Sequence, residues 1–180
     1  MTGRSGPAQV GATLGRRKAG EAPGLLRTRH PIRPANPRHV MAQTGTVILR
    51  AALDGAIYRD IEIEASTSLY RLAEAIVSAF GFDFDHAFGF YGGDPFARKR
   101  GLPRYELFAD MGEADPGVLG VKKTKIAEAF PAVGRALTFL FDYGDEWRFR
   151  VTLKAKGQKL AKTRYPRVVA SHGEAPEQYP

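Results

Sequence analysis

The chain has 180 residues, of which 43% are hydrophobic, with a net charge of +8 and no cysteine. This length fits one domain with tails. The absence of cysteine excludes disulfides, thiolate metal sites and cysteine nucleophiles. No apolar run is long enough to span a bilayer, and no basic start followed by an apolar core marks a secretory signal. We therefore expect a cytoplasmic protein with no membrane contact.

The first forty residues differ in composition from the rest of the chain. They carry eight basic residues and one acidic residue, whereas residues 41–180 carry 19 basic and 18 acidic residues. They are rich in Gly, Pro, Ala and Arg, and such a segment buries too little apolar surface to offset the entropy of ordering it. Residues 1–43 are therefore predicted to be a disordered basic tail.

Three interpretations of this tail remain open. It is a basic arm that contacts nucleic acid or anionic surfaces, a targeting peptide, or upstream sequence translated from a misassigned start, with Met41 as the true first residue. The abrupt onset of regular patterning after Met41 favours the last of these.

Two alternating segments, residues 45–52 and 56–64, begin the patterned part of the chain. The turn-forming residues Asp54 and Gly55 separate them, which predicts a β-hairpin with one solvent-facing side. Hydroxyl side chains at 66–68 then offer an N-cap, and apolar residues at helical spacing from Leu69 to Phe80 predict a helix that ends at Gly81.

The second half predicts shorter elements. Residues 86–91 and 105–108 are predicted as strands, 110–120 as a loop, 122–130 as a helix, and 135–143 with 146–155 as a final hairpin. The order β-β-α-β-β-α-β-β predicts an α+β fold, a β-grasp-like mixed sheet packed on a helix. We place the domain at 44–162 and predict an irregular C-terminal extension over 163–180.

The final hairpin is the most informative segment of the sequence. A tight turn at Gly144 and Asp145 is predicted between its strands, and Trp147, the single tryptophan, follows. Alternation in the second strand places Trp147 inward with Phe149, and Arg148 and Arg150 outward.

Three carboxylates lie within five residues of this hairpin, at Asp142, Asp145 and Glu146. A metal site or general acid–base pair would need them to converge. Aspartate at a turn, however, commonly accepts hydrogen bonds from its own backbone. Turn chemistry is the favoured interpretation, and no catalytic, cofactor-binding or metal-binding residue is assigned.

The motif Asp142-Tyr143-Gly144-Asp145-Glu146-Trp147 resembles a family signature. The chain is similar to the plasmid pRiA ORF-three-like domain family, whose members are often labelled insertion-element passenger proteins of the "TnpR" type. The family's Asp-x-Gly-Asp-x-Trp pattern is matched by Asp142, Gly144, Asp145 and Trp147, and its late Tyr-Pro-Arg by residues 165–167. The resemblance covers about 44–179, and it implies a β-grasp-like α+β fold and no established activity.

The "TnpR" label suggests a resolvase, and the residues argue against that activity. A serine recombinase needs an activated serine surrounded by arginines, and a helix-turn-helix that positions DNA. After Met41 the serines are confined to Ser66, Ser68, Ser78 and Ser171, and the C-terminus is predicted as strand and tail. The histidines His86 and His172 lack the spacing of zinc ligands.

Residues 148–167 contain eight basic residues and no acidic residue. One interpretation is a face that binds polyanions. The favoured one is a solvated edge strand that lysine protects against pairing.

The function predicted from the sequence is a non-enzymatic interaction module with an unidentified protein partner and a link to mobile genetic elements. Two alternatives stay open: a nucleic-acid-associated accessory protein that uses the basic run 148–167, and a metal-assisted hydrolase that uses the three carboxylates. The candidate interaction residues are Asp142, Tyr143, Gly144, Asp145, Trp147, Arg148 and Arg150.

Overall fold

The computed structural model of the protein describes residues 45–97 and 101–179. The predicted basic tail and the proposed start at Met41 lie outside these residues. Eleven elements are present in the described part: strands β1 Gly45–Ala52, β2 Tyr58–Glu64, β3 Phe88–Tyr91, β4 Arg104–Glu106, β5 Leu119–Gly120, β6 Ala136–Phe141, β7 Trp147–Gln158 and β8 Arg167–His172, and helices α1 Leu69–Ala79, α2 Leu107–Met111 and α3 Ile126–Ala129.

The described strands form one sheet in the order β5-β4-β3-β6-β7-β1-β2-β8. Neighbouring strands are antiparallel except for the short parallel pair β4–β5. The prediction of an α+β fold with a mixed sheet is confirmed. The finer β-grasp-like arrangement is not confirmed, because α2, β5 and β8 add to the predicted element order.

The first hairpin and the long helix form where local sequence predicts them. The Asp54 carboxylate accepts hydrogen bonds from the backbone N–H groups of Ala56 and Ile57 at 2.7 and 2.8 Å, which closes the turn between β1 and β2. The Ser68 hydroxyl caps α1 by accepting a bond from the N–H of Arg71 at 3.4 Å. No described helix has the length and apolar character needed to cross a membrane.

Helix α1 packs on one side of the sheet, which we call the covered face. Phenylalanine rings fill the space beneath it, with the Phe139 ring centroid 4.7 Å from Phe90 and 5.7 Å from Phe149. Alternate residues of the same strands point to the opposite side, which we call the open face. Strand register places Arg104, Tyr91, Thr138 and Arg150 in one row across β4, β3, β6 and β7 of the open face.

Several predictions in the second half of the chain are wrong. The strand predicted at 105–108 is β4, which ends at Glu106, and α2 replaces the start of the predicted loop at 110–120. The helix predicted over 122–130 is limited to α3. The residues before α3 lie beside α1: the carbonyl of Thr124 accepts a bond from the N–H of Leu69 at 2.9 Å.

The predicted irregular extension over 163–180 contains β8, which pairs antiparallel with β2 from Glu62 to Tyr58. Every residue of β8 is exposed, so the strand leaves no apolar alternation in the sequence. Main-chain pairing with β2 and polar side-chain contacts such as the Arg167–Glu62 ion pair hold it at the sheet edge. Beyond it, the buried side chain of Gln178 accepts a bond from the N–H of Asp83 at 2.6 Å.

Candidate functional site

The β6–β7 turn carries the sequence signature, and its conformation is set by Asp142. Phe141 pairs with Trp147, so the turn spans five residues, 142–146, and the predicted two-residue turn at Gly144 and Asp145 is wrong. Asp142 and Glu146 adopt positive φ angles of 57° and 55°, a region that Asp tolerates better than most residues.

The turn holds one oxygen of the Asp142 carboxylate. Asp142 is 7% exposed, and its Oδ1 accepts bonds from the N–H groups of Gly144 at 2.8 Å and Asp145 at 3.4 Å. The interpretation of Asp142 as a turn residue is therefore confirmed. Gly144 and Asp145 themselves form the exposed tip of the turn.

The second oxygen of Asp142 faces a histidine. Oδ2 lies 3.5 Å from Nε2 of His86, and Nδ1 of His86 bonds the Asp85 carboxylate at 2.8 Å. The Tyr179 hydroxyl donates to the same carboxylate at 2.9 Å. The Asp85 bond, with further help from nearby carboxylates, raises the pKa of His86 above its ordinary value. The C-terminal segment is thus tied to the loop before β3 beside the signature turn.

The side chains of Trp147 and Tyr143 lie on opposite faces of the sheet. The half-buried Trp147 ring lies on the covered face, 4.8 Å from the Phe82 ring centroid. Its Nε1 is buried without a hydrogen-bond partner among the described residues. Tyr143 instead joins the open-face tyrosine of β3, because its hydroxyl shares a hydrogen bond of 2.7 Å with that of Tyr91.

The paired tyrosines line a cavity of about 300 Å³, which we call the hairpin cavity. Aromatic rings and an ion pair provide most of its wall: Tyr91, Phe96, Arg104, Glu106, Phe108 and Tyr143. The Tyr91 ring lies flat along its own strand over Gly89, where a Cβ would be 2.8 Å from Cζ of the ring. A strand glycine of this kind marks a close approach by another group.

An ion pair lies at the base of the hairpin cavity. Nη2 of Arg104 donates to Oε1 of Glu106 at 2.8 Å, and Glu106 is 7% exposed. Nη1 of Arg104 lies 3.6 Å from Asp115, while its Nε is buried without a partner. Burial is the main cause that raises the pKa values of Tyr91 and Tyr143. Both phenols therefore stay protonated at neutral pH and act as hydrogen-bonding groups.

The two candidate arginines of β7 differ in their surroundings. Arg148 donates to Glu146 at 2.6 Å, and its guanidinium lies 5.2 Å from the centroid of the exposed Phe96 ring at the hairpin cavity. Arg150 is exposed on the open face, in register with Thr138. The structure thus brings Tyr143 and Arg148 to the cavity, keeps Asp142, Gly144 and Asp145 in the turn, and places Trp147 and Arg150 elsewhere.

Several of the other basic residues of 148–167 are engaged in contacts within the chain. Lys159 pairs with Glu64 at 2.7 Å and Arg167 pairs with Glu62 at 2.6 Å. Lys156 donates to the carbonyl of Pro131. These bonds reduce the free charge that a polyanion would meet.

The three turn carboxylates do not form a metal site. Asp142 is bonded to the turn backbone and Glu146 to Arg148. Across residues 45–97 and 101–179, no group of three or more His, Asp or Glu side chains is arranged to hold a metal ion.

Sequence reasoning missed most of the hairpin cavity. Gly89 and Tyr91 lie two residues apart in a predicted strand, so the sequence was sufficient to place them on the same face of the sheet. Arg104 was missed because the strand that carries it was predicted to begin one residue later. Glu106 lies within the predicted strand, but nothing in the sequence indicated its pairing with Arg104. Phe96 and Phe108 lie on either side of β4 in sequence and carried no periodic signal.

Comparisons with known proteins place this fold in a family. The plasmid pRiA4b ORF-3-like protein family matches residues 46–178. A crystal structure of a protein of unknown function from Methanosarcina mazei Go1 superposes with a TM-score of 0.57 at 21% identity, over 71% of this chain and 69% of that one, which shows a shared fold. Comparison with curated proteins finds no match. The chain belongs to the plasmid pRiA4b ORF-3-like family.

Proposed function

We propose that the protein is a non-enzymatic interaction module that binds a basic side chain of a protein partner in the hairpin cavity. The observation that carries this proposal is the lining of the cavity. Four aromatic rings surround it, and the exposed carboxylate of Glu113 also lines it. Aromatic faces and carboxylates both attract a cation.

The charges of the cavity leave room for an external cation. Arg104 is matched by Glu106 and lies close to Asp115. Glu113 is exposed at the rim and has no partner among the described residues. The positive charge of a partner's lysine or arginine would neutralise the Glu113 carboxylate, while the methylene groups of that side chain pack on the aromatic rings.

The cavity chemistry supports binding over catalysis. The described lining offers carboxylates that could act as bases, but no serine, threonine, histidine or lysine beside them that one could activate. Its two tyrosines are held protonated by burial. A metal-assisted reaction has no support in the signature turn, where Asp142 bonds the backbone.

The family description bears on the cellular context of the protein. The plasmid reading frame in the family description supports a link to mobile genetic elements. A cytoplasmic location stays a prediction from the sequence. The nucleic-acid alternative is less favoured, because Arg148, Lys159 and Arg167 each pair with a carboxylate of the chain.

The proposal is tested by NMR titration of the full chain with N-acetyl-arginine amide, using N-acetyl-norleucine amide as the uncharged control. We expect the arginine probe to shift the resonances of Tyr143 and Phe96. Replacing Glu113 by Gln should weaken binding by about fivefold, equivalent to about 1 kcal/mol. The matched change Glu174→Gln, at an exposed carboxylate outside the cavity, should leave the affinity unchanged. Equal binding of both probes would refute the proposal.

A further inference from the structure

Arg150 is a basic residue on a central strand of the open face. It lies on β7, between β6 and β1 in the sheet, and its side chain is exposed. Other arginines of this face are each held by a carboxylate of the chain, in the pairs Arg50–Asp60, Arg104–Glu106 and Arg148–Glu146. Arg150 makes no hydrogen bond or ion pair with the described residues. Its charge is therefore available to an external anion.

The residues around Arg150 are small or carry hydroxyl groups. In the register of the sheet, Ala52 and Thr138 are its direct neighbours, and Thr152 follows two positions along β7. Side chains directly opposite one another in a sheet lie about 4.5–5.5 Å apart at Cβ. Within residues 45–97 and 101–179, neither threonine hydroxyl has a hydrogen-bond partner. A guanidinium beside two hydroxyls, all of them able to donate, suits a carboxylate.

One row of the open face connects Arg150 with the hairpin cavity. Tyr91 of the cavity, Thr138 and Arg150 are in register on β3, β6 and β7. Two strand spacings, about 10 Å, therefore separate Tyr91 from Arg150. Three residues of an extended chain span about the same distance. A segment with a basic side chain in the cavity can thus place an acidic side chain at Arg150.

We infer that the open face around Arg150 binds an acidic side chain of the same protein partner whose basic side chain enters the hairpin cavity. The inference rests on the function proposed above and adds a second contact to it. The recognised segment carries a basic and an acidic residue about three positions apart. A nucleic acid fits less well, because its phosphate backbone supplies no cation for the cavity. Opposite charges at the two ends of the site also fix the direction in which the segment binds.

The test compares two peptides, acetyl-Arg-Gly-Gly-Asp-amide and acetyl-Arg-Gly-Gly-Asn-amide, in NMR titrations of the full chain. We expect the wild-type protein to bind the Asp peptide about three- to fivefold more tightly, as an exposed ion pair of good geometry allows. Arg150→Gln should remove this preference and leave the affinity for the Asn peptide unchanged. The charge-matched variant Lys154→Gln, at an exposed residue of the same strand, should keep the preference.

The outcomes separate this inference from the proposed function. Equal affinities of the wild-type protein for the two peptides would overturn the inference and leave the cavity proposal intact, because both peptides carry the arginine. No binding of either peptide at millimolar concentration would overturn both. A preference for the Asp peptide that survives Arg150→Gln would assign the acidic side chain to another group. Tighter binding of an oligothymidylate than of the Asp peptide, lost in Arg150→Gln, would also overturn the inference, by assigning this face to single-stranded nucleic acid.

Discussion

The covered and open faces of the sheet are built by the same strands, but they are held together differently. On the covered face, rings such as Phe90 and Phe139 are fully buried and stack at 4.7 Å. On the open face, polar groups form pairs, such as Arg50 with Asp60 at 2.7 Å. Tyr91 directly follows Phe90 and belongs to the hairpin cavity. The contrast shows that apolar packing on the covered face specifies the fold. Side chains on the open face can therefore change with little loss of stability.

The largest expected effect is at the centre of the covered face. Phe139→Ala removes a ring that contacts Phe88, Phe90 and Phe149, and it should lower the free energy of unfolding by about 3–5 kcal/mol. Thr138→Ala, at the next residue on the open face, should change it by less than about 0.5 kcal/mol. Urea unfolding of both variants measures the difference. Similar costs at the two positions would break the comparison between the faces.

Trp147 sharpens the comparison because it lies at the border of the covered face. Its half-buried ring contacts Phe82, so Trp147→Ala should cost about 2 kcal/mol, less than the roughly 3–5 kcal/mol of a fully buried ring. Trp147→Phe keeps most of that contact and removes the buried, unpaired Nε1. It should therefore cost under about 1 kcal/mol. A cost for Trp147→Phe as large as that of Trp147→Ala would show that the indole N–H is satisfied.

Gly89 tests whether the open face tolerates change freely. A Cβ at Gly89 would lie 2.9 Å or less from three atoms of the Tyr91 side chain, two of them in the ring. Gly89→Ala should therefore displace that ring, at a cost of about 1–3 kcal/mol. The same substitution in a Tyr91→Ala background should cost much less, because the obstructing ring is gone. Equal costs in the two backgrounds would mean that the ring does not limit this position.

Prediction from the sequence succeeded where apolar residues alternate or recur at helical spacing. The first hairpin, α1 and β7 carry such patterns, and the structure confirms them. It failed at β8, whose six residues are all exposed and which is held by backbone pairing and ion pairs rather than by apolar burial. Backbone pairing leaves no signature in side-chain hydrophobicity.

The candidate site was predictable only in part, for a related reason. The signature turn was identified, and Asp142 bonds the backbone as expected. The cavity beside Tyr143 depends on strand order, which brings β4 next to β3 and β3 next to β6. The bond between Tyr179 and Asp85 joins residues 94 positions apart. No local pattern in the chain reports such distant neighbours.

The smallest expected effect concerns the histidine beside the signature turn. The hydrogen bond from Asp85, followed by the nearby charges of Asp142 and Asp145, raises the pKa of His86 above 6.5. A folded-state pKa above the unfolded value means that this stabilisation is complete below about pH 6.5 and is lost as the pH rises through the folded-state pKa. NMR titration of the imidazole resonances measures that value directly. Asp85→Asn should lower it, because the main stabilising bond loses its charge, whereas Glu174→Gln, at an exposed site that makes no contact with the imidazole, should not. A wild-type His86 that titrates at or below 6.5 would show that the carboxylates of Asp85 and Asp142 do not stabilise the imidazolium.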